Sequence, residues 1–96
     1  MSEAPDSERF MSRVDTLLSK GGALSPLAAG LVVAVDMGID DSRGFARVFG
    51  VEHALVLREI ALLAGEDGLL TITDRHPRTL RTSVALSARG QQVLAL

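Results

Sequence analysis

Between Phe45 and Ile60 the chain reads Phe-Ala-Arg-Val-Phe-Gly-Val-Glu-His-Ala-Leu-Val-Leu-Arg-Glu-Ile. Ala46 is followed four places on by Gly50, and Gly50 six places on by the β-branched Val56. Two short helices packed at a steep angle need this trio. The small residue lets the helices approach, the glycine turns the chain where a side chain would clash, and the β-branched residue anchors the second helix on the first. Phe45 and Phe49 supply core beneath the crossing. The spacing predicts a crossed helical pair over about residues 42–65, although an ordinary helical hairpin would carry the same signal.

A hairpin follows. Leu69-Leu70-Thr71-Ile72-Thr73 is a β-rich run directly after Gly68, and Asp74-Arg75-His76-Pro77-Arg78-Thr79 has turn chemistry, because Pro77 is excluded from a central strand and Asp74 favours a bend. Leu80, Thr82, Val84 and Leu86 then alternate with Arg81, Ser83, Ala85 and Ser87, the period of a half-buried strand. A helical pair with a basic-tipped hairpin behind it is the sequence form of a winged helix-turn-helix. That places the chain in the α+β class, mostly helical, with a wing at about 74–81.

From about Ser25 to Leu96 the chain resembles winged-helix regulators of the multiple-antibiotic-resistance regulator (MarR-type) family. The residues that carry the resemblance are Gly68-Leu69-Leu70, Asp74-Arg75 and Val84-Ala85-Leu86-Ser87-Ala88-Arg89-Gly90. The resemblance implies a double-stranded-DNA-binding transcriptional regulator with flanking N- and C-terminal helices. The chain departs from the family in three ways. Its turn Ala64-Gly65-Glu66-Asp67-Gly68 is acidic where the family is usually basic, its wing is longer, and it is short for the helices that build the usual family dimer.

Ninety-six residues, 47% of them hydrophobic, suit one domain with one core. Residues 1–24 form an N-terminal helix extension in this reading, and residues 25–96 the winged-helix core. No apolar run is long enough for a membrane span, and the acidic start Met-Ser-Glu-Ala-Pro-Asp has no leader pattern. Without cysteine there is no disulfide or thiolate metal cluster, so a cytoplasmic location is the default expectation.

The net charge of −2 conceals an asymmetry. Residues 1–67 carry six basic and eleven acidic side chains, whereas residues 68–96 carry four arginines against Asp74 alone. Arg75, Arg78 and Arg81 share the hairpin, where forked guanidiniums suit phosphate. The competing reading is that they keep an exposed strand edge soluble. His76 falls in the same turn.

Several helix limits are legible. Asp6 or Ser7 can cap a first helix with a stripe of Phe10, Val14, Leu17 and Leu18, ended by Gly21-Gly22. Ser25-Pro26 starts a second helix, apolar nearly all round from Leu27 to about Met37 and closed by Gly38. Asp40, Asp41 or Ser42 caps the third, and Ser87 a last short one through Val93 and Leu94. The apolar faces of the first and last helices either seek a second copy, giving a homodimer, or pack on their own core.

On the fourth helix, an inward Val56 brings Ile60 and Leu63 with it and leaves His53, Ala54, Leu57, Arg58 and Ala61 outside. Arg58 suits a guanine edge or a phosphate, and His53 a phosphate near the helix start. Arg43 and Arg47, one turn apart, suit either phosphate or ion pairs with Glu59 or Asp40. With Glu52 and Glu59 nearby, affinity would rest on the wing and on Arg43 and Arg47, with modest specificity. Alternatively, Leu57, Ala54 and Ala61 make this helix a protein-docking face, and the chain a winged-helix interaction module that has lost most DNA binding.

Enzyme chemistry finds no support. His53 and His76 lie on separate elements without ligand-spaced partners, no nucleophile elbow or phosphate loop is present, and Asp40-Asp41 and Glu66-Asp67 sit at helix ends or turns. No cofactor or metal is expected. Three phenylalanines without Trp or Tyr leave little on which to stack bases, which disfavours single strands and RNA. An effector in a groove beside the first helix would leave no readable motif.

Overall fold

A computed structural model describes the backbone of residues 3–20 and 24–95 and the side chains of residues 8–20 and 24–95. The described chain is a mostly helical α+β domain in the order α1 (Glu3–Ser19), α2 (Pro26–Asp36), α3 (Ser42–Phe49), α4 (His53–Leu63), β1 (Leu70–Arg75), β2 (Thr82–Leu86) and α5 (Ala88–Ala95).

Helix α2 is the centre. Ser25 caps it by accepting the Ala28 amide at 3.0 Å, with Pro26 in the first turn, where its missing N–H costs nothing. Every residue from Ala28 to Ala34 is buried, as a helix apolar nearly all round requires. Val14 and Leu17 of α1, Phe45 of α3, Val56 and Ile60 of α4, and Leu70 and Val84 of the hairpin close around it. The α1 stripe is thus covered by the chain's own core. Lys20 Nζ donates to the Val93 carbonyl at 2.7 Å and links the end of α1 to α5.

Helix α1 is already helical from Glu3, so Asp6 and Ser7 fall inside it and cannot be its N-caps. Gly21 and Gly22 lie outside the described residues. The other caps are where side-chain chemistry puts them. Asp41 accepts the Gly44 amide at 2.8 Å to start α3, and Ser87 accepts the Gly90 amide at 3.0 Å to start α5.

The turn between α3 and α4 uses the glycine and the buried β-branched residue that the spacing predicts. Gly50 takes φ 67°, the left-handed conformation that glycine adopts without a Cβ penalty, and its amide bonds back to the Ala46 carbonyl. Val56 is fully buried, and Phe49 stacks between Phe10 and Phe45 at ring-centroid distances of 4.9 and 4.4 Å.

Strands β1 and β2 pair antiparallel, Leu70 with Leu86 and Ile72 with Val84, and Thr73 is the extra residue of a bulge before Asp74 meets Ser83. A bulge bends and twists the strand that carries it. The other edge of β2 meets the lead-in to α3: the Val84 amide donates to the Asp40 carbonyl at 2.9 Å, and Asp41 bridges Ser83. The hairpin is therefore tied to the start of α3.

The alternation of the second strand holds for Thr82, Val84 and Leu86 but fails at Leu80. Leu80 has φ 62° and is 50% exposed, because a left-handed residue breaks the extended backbone and takes the side chain off the buried face. β1 also runs on through Asp74 and Arg75, so the turn occupies residues 76–81 and Asp74 is a strand residue.

Candidate nucleic-acid interface

Residues 73–81 are all exposed, and three of the hairpin's guanidiniums belong to this stretch. The tip is held by its own backbone and by His76. The Leu80 amide donates to the His76 carbonyl at 2.8 Å, and the His76 amide to the Arg81 carbonyl at 2.9 Å. His76 Nδ1 accepts the Arg78 and Thr79 amides at 3.3 and 3.4 Å, which leaves the ring proton on Nε2. His76 thus shapes the turn that presents Arg78, much as an Asx side chain would.

The four arginines nearest the tip divide into two pairs. Arg81 Nη2 lies 3.2 Å from Asp41 Oδ2, and Arg43 Nη2 donates to the Thr79 carbonyl at 3.2 Å. Both brace the hairpin against the start of α3. Arg75 and Arg78 have no ion pair among the described residues. Arg47 and Arg58 are exposed and likewise without one; neither Arg43 nor Arg47 pairs with Glu59 or Asp40.

Beneath the tip lies a polar junction that sequence reasoning did not assemble. Ser42, fully buried, accepts the Thr82 amide at 2.9 Å and sits 2.7 Å from His53 Nε2. The buried hydroxyl has one proton, and His53 Nε2 is the acceptor within reach. With the ring proton on Nδ1, His53 Nε2 accepts from this hydroxyl, and the neutral imidazole is the form that the contact favours. Burial lowers the pKa of His53, the charge of Arg43 lowers it further, and Asp41 opposes them only in part. His53 is half-buried with Nε2 turned inward, so it cannot present that nitrogen to a ligand.

At Asp41 burial works against the carboxylate. The Gly44 amide, the hydrogen bond and charge of Arg81, and the Arg43 amide outweigh it and hold the pKa below the ordinary aspartate value. The N-cap stays ionised, so Arg81 keeps its partner.

Helix α4 lies beside the hairpin. Leu57 and Ile60 face Arg75, Leu80 and Thr82 across a cleft of about 230 Å³. Ala54, Arg58 and Ala61 are exposed, with Arg58 the one cation of the helix. The arrangement gathers Arg43, Arg75, Arg78 and Arg81 around one projecting tip, with Leu57 between tip and helix. Arg47, on α3, makes no hydrogen bond or ion pair with this group.

Among the described residues no cluster of three or more His, Asp or Glu could hold a metal ion, and no helix is long and apolar enough to cross a membrane. No protein-family model, curated protein or solved structure matches the chain.

Ser42 and Thr82 are the residues that sequence reading missed as partners. A serine beside two aspartates reads as a possible cap, and nothing in the order of residues joins it to a threonine 40 places on.

Proposed function

We propose that this chain is a winged-helix module that binds double-stranded DNA, with α3 and α4 as its helix-turn-helix and the residue 73–81 hairpin as its wing, in the manner of a MarR-type transcriptional regulator. The observation that carries the reading is the pair of exposed guanidiniums, Arg75 and Arg78, without an ion pair among the described residues, on a tip tied to the lead-in of α3. Cations fixed on a projecting element gain phosphate contacts without first losing an internal ion pair, and they release counterions from the duplex.

Specificity would be modest. The exposed part of α4 beside the wing offers Arg58 but no Asn, Gln or Ser to read base edges, and Ala54 and Ala61 would allow close approach. Phosphate contacts position a protein without reading sequence, so Arg75 and Arg78 would supply most of the affinity.

The test is fluorescence anisotropy with a labelled mixed-sequence duplex at low salt, repeated as salt rises. A wing-driven complex weakens steeply, with log K falling by about 0.9 for each phosphate neutralised per tenfold rise in salt. Absence of binding at low salt overturns the reading.

A further inference from the structure

Val56, Ile60 and Leu63 bury one side of α4. The side opposite them carries Ala54, Leu57, Arg58 and Ala61 within roughly 100° of helical arc. Ala54, Arg58 and Ala61 are exposed, and Leu57 is half-buried where this side meets the hairpin. There Leu80, 50% exposed and pushed out by its left-handed backbone, stands across the cleft from Leu57. The other polar side chains at this helix lie elsewhere. His53 Nε2 is turned to Ser42 Oγ at 2.7 Å. Glu52 and Glu59, seven residues apart, share the flank that begins one residue step, about 100°, beyond Arg58. Arg58 is therefore the one hydrogen-bonding side chain of the outward face, and the rest of that face is aliphatic.

Chemistry restricts what such a face can read, given the reading of α4 as the helix that enters the major groove, on which this inference rests. All four bases present hydrogen-bonding atoms there, but only one group on the groove floor is apolar, the C5 methyl of thymine. Aliphatic carbon pressed on a donor or acceptor takes its water away and returns no hydrogen bond, which disfavours that base. Pressed on a thymine methyl, the same carbon gains about 4-fold in affinity for each methyl removed from water.

We propose that the outward face of α4, with Leu57 as its largest apolar side chain and Ala54 and Ala61 beside it, selects thymine through the C5 methyl. The duplexes preferred by this chain then carry thymine where α4 meets the groove, and the discrimination is made by methyl contact instead of by hydrogen bonds.

The test is fluorescence anisotropy of the full chain with two labelled duplexes of one A·T-rich sequence, the second with uracil in place of every thymine. Uracil keeps each hydrogen-bonding atom and lacks only the methyl. The thymine duplex binds ~4-fold or more tightly, and the two salt slopes agree because the phosphates are the same. Leu57→Gln, or Ala54→Gln with Ala61→Gln, reduces the thymine-over-uracil ratio towards one. Arg75→Ala with Arg78→Ala weakens both duplexes and keeps the ratio. Equal affinity for the two duplexes overturns the thymine inference and leaves DNA binding standing. A preference that both glutamine variants retain does the same, because it then comes from the shape of the duplex. No binding of either duplex at low salt overturns both readings. Circular dichroism establishes that each variant is folded.

Discussion

Ser42 Oγ and His53 Nε2 lie 2.7 Å apart, joining the first residue of α3 to the first residue of α4. Because the same hydroxyl accepts the Thr82 amide, one buried oxygen connects the starts of both helices to the first residue of β2. Ser42→Ala removes that oxygen and leaves the Thr82 N–H without its partner. An orphaned buried donor costs about 1–3 kcal/mol. Thermal or urea denaturation should show a loss of that size, and an unchanged midpoint would sink the junction.

Protonation attacks the same contact. The folded-state pKa of His53 is lowered, so in acid the unfolded chain binds its proton first. Stability from this group is present above the ordinary histidine value of 6.5 and is lost as pH falls from there through the folded-state value. Asp41, also lowered, adds a loss at more acidic pH, beginning around its ordinary value of 3.8. Urea midpoints measured from pH 7.5 to 5 should fall for the native chain and flatten in His53→Gln. A native chain of constant stability across that range contradicts the neutral, inward-facing imidazole.

Replacing Arg75 and Arg78 together with alanine should remove most low-salt affinity for duplex and reduce the salt slope by nearly two phosphates' worth, about 0.9 each. The melting temperature should hardly move, since neither guanidinium has an ion pair among the described residues. Full retention of duplex affinity would remove the wing from any DNA-binding role.

Arg81→Ala should act differently. Its partner Asp41 caps α3, but Arg81 is 58% exposed along its side chain, so solvent screening holds the pair to about 0–1 kcal/mol. A small fall in midpoint should accompany a smaller affinity loss than in the Arg75/Arg78 variant. An affinity loss equal to that of the double variant would show that Arg81 itself reaches the phosphate.

Gly90→Ala should be severe. An added Cβ would stand 2.2 Å from the Leu69 carbonyl oxygen, where backbone at the start of the hairpin cannot move aside cheaply. Overpacking of this kind costs about 1–3 kcal/mol or more. A midpoint within error of the native chain would mean that α5 and the hairpin are less closely apposed.

The caps were legible because their chemistry is local. Ser25 with Pro26, an aspartate or serine before α3, and Ser87 each satisfy amides within three residues, so neighbouring side chains reveal them. Gly50 and Val56 were legible for the same reason, as were the two strands, whose side chains alternate. Leu80 was not. Its left-handed backbone is imposed by closing the tip between His76 and Arg81, and periodicity alone extends the strand through it.

The order of residues determined the helical and extended segments, the basic hairpin and the crossing of α3 on α4, because periodicity, caps and turns act over a few neighbouring positions. Folding in three dimensions decided which arginines are spent internally. Arg81 and Arg43 reach Asp41 and Thr79 only because β2 lies against the start of α3, while Arg75 and Arg78 have no ion pair among the described residues. The same packing turns His53 inward toward Ser42 and leaves Leu55 and Leu62 in solvent. Such outcomes depend on distances between residues far apart in the chain, and those distances exist only once the core has closed.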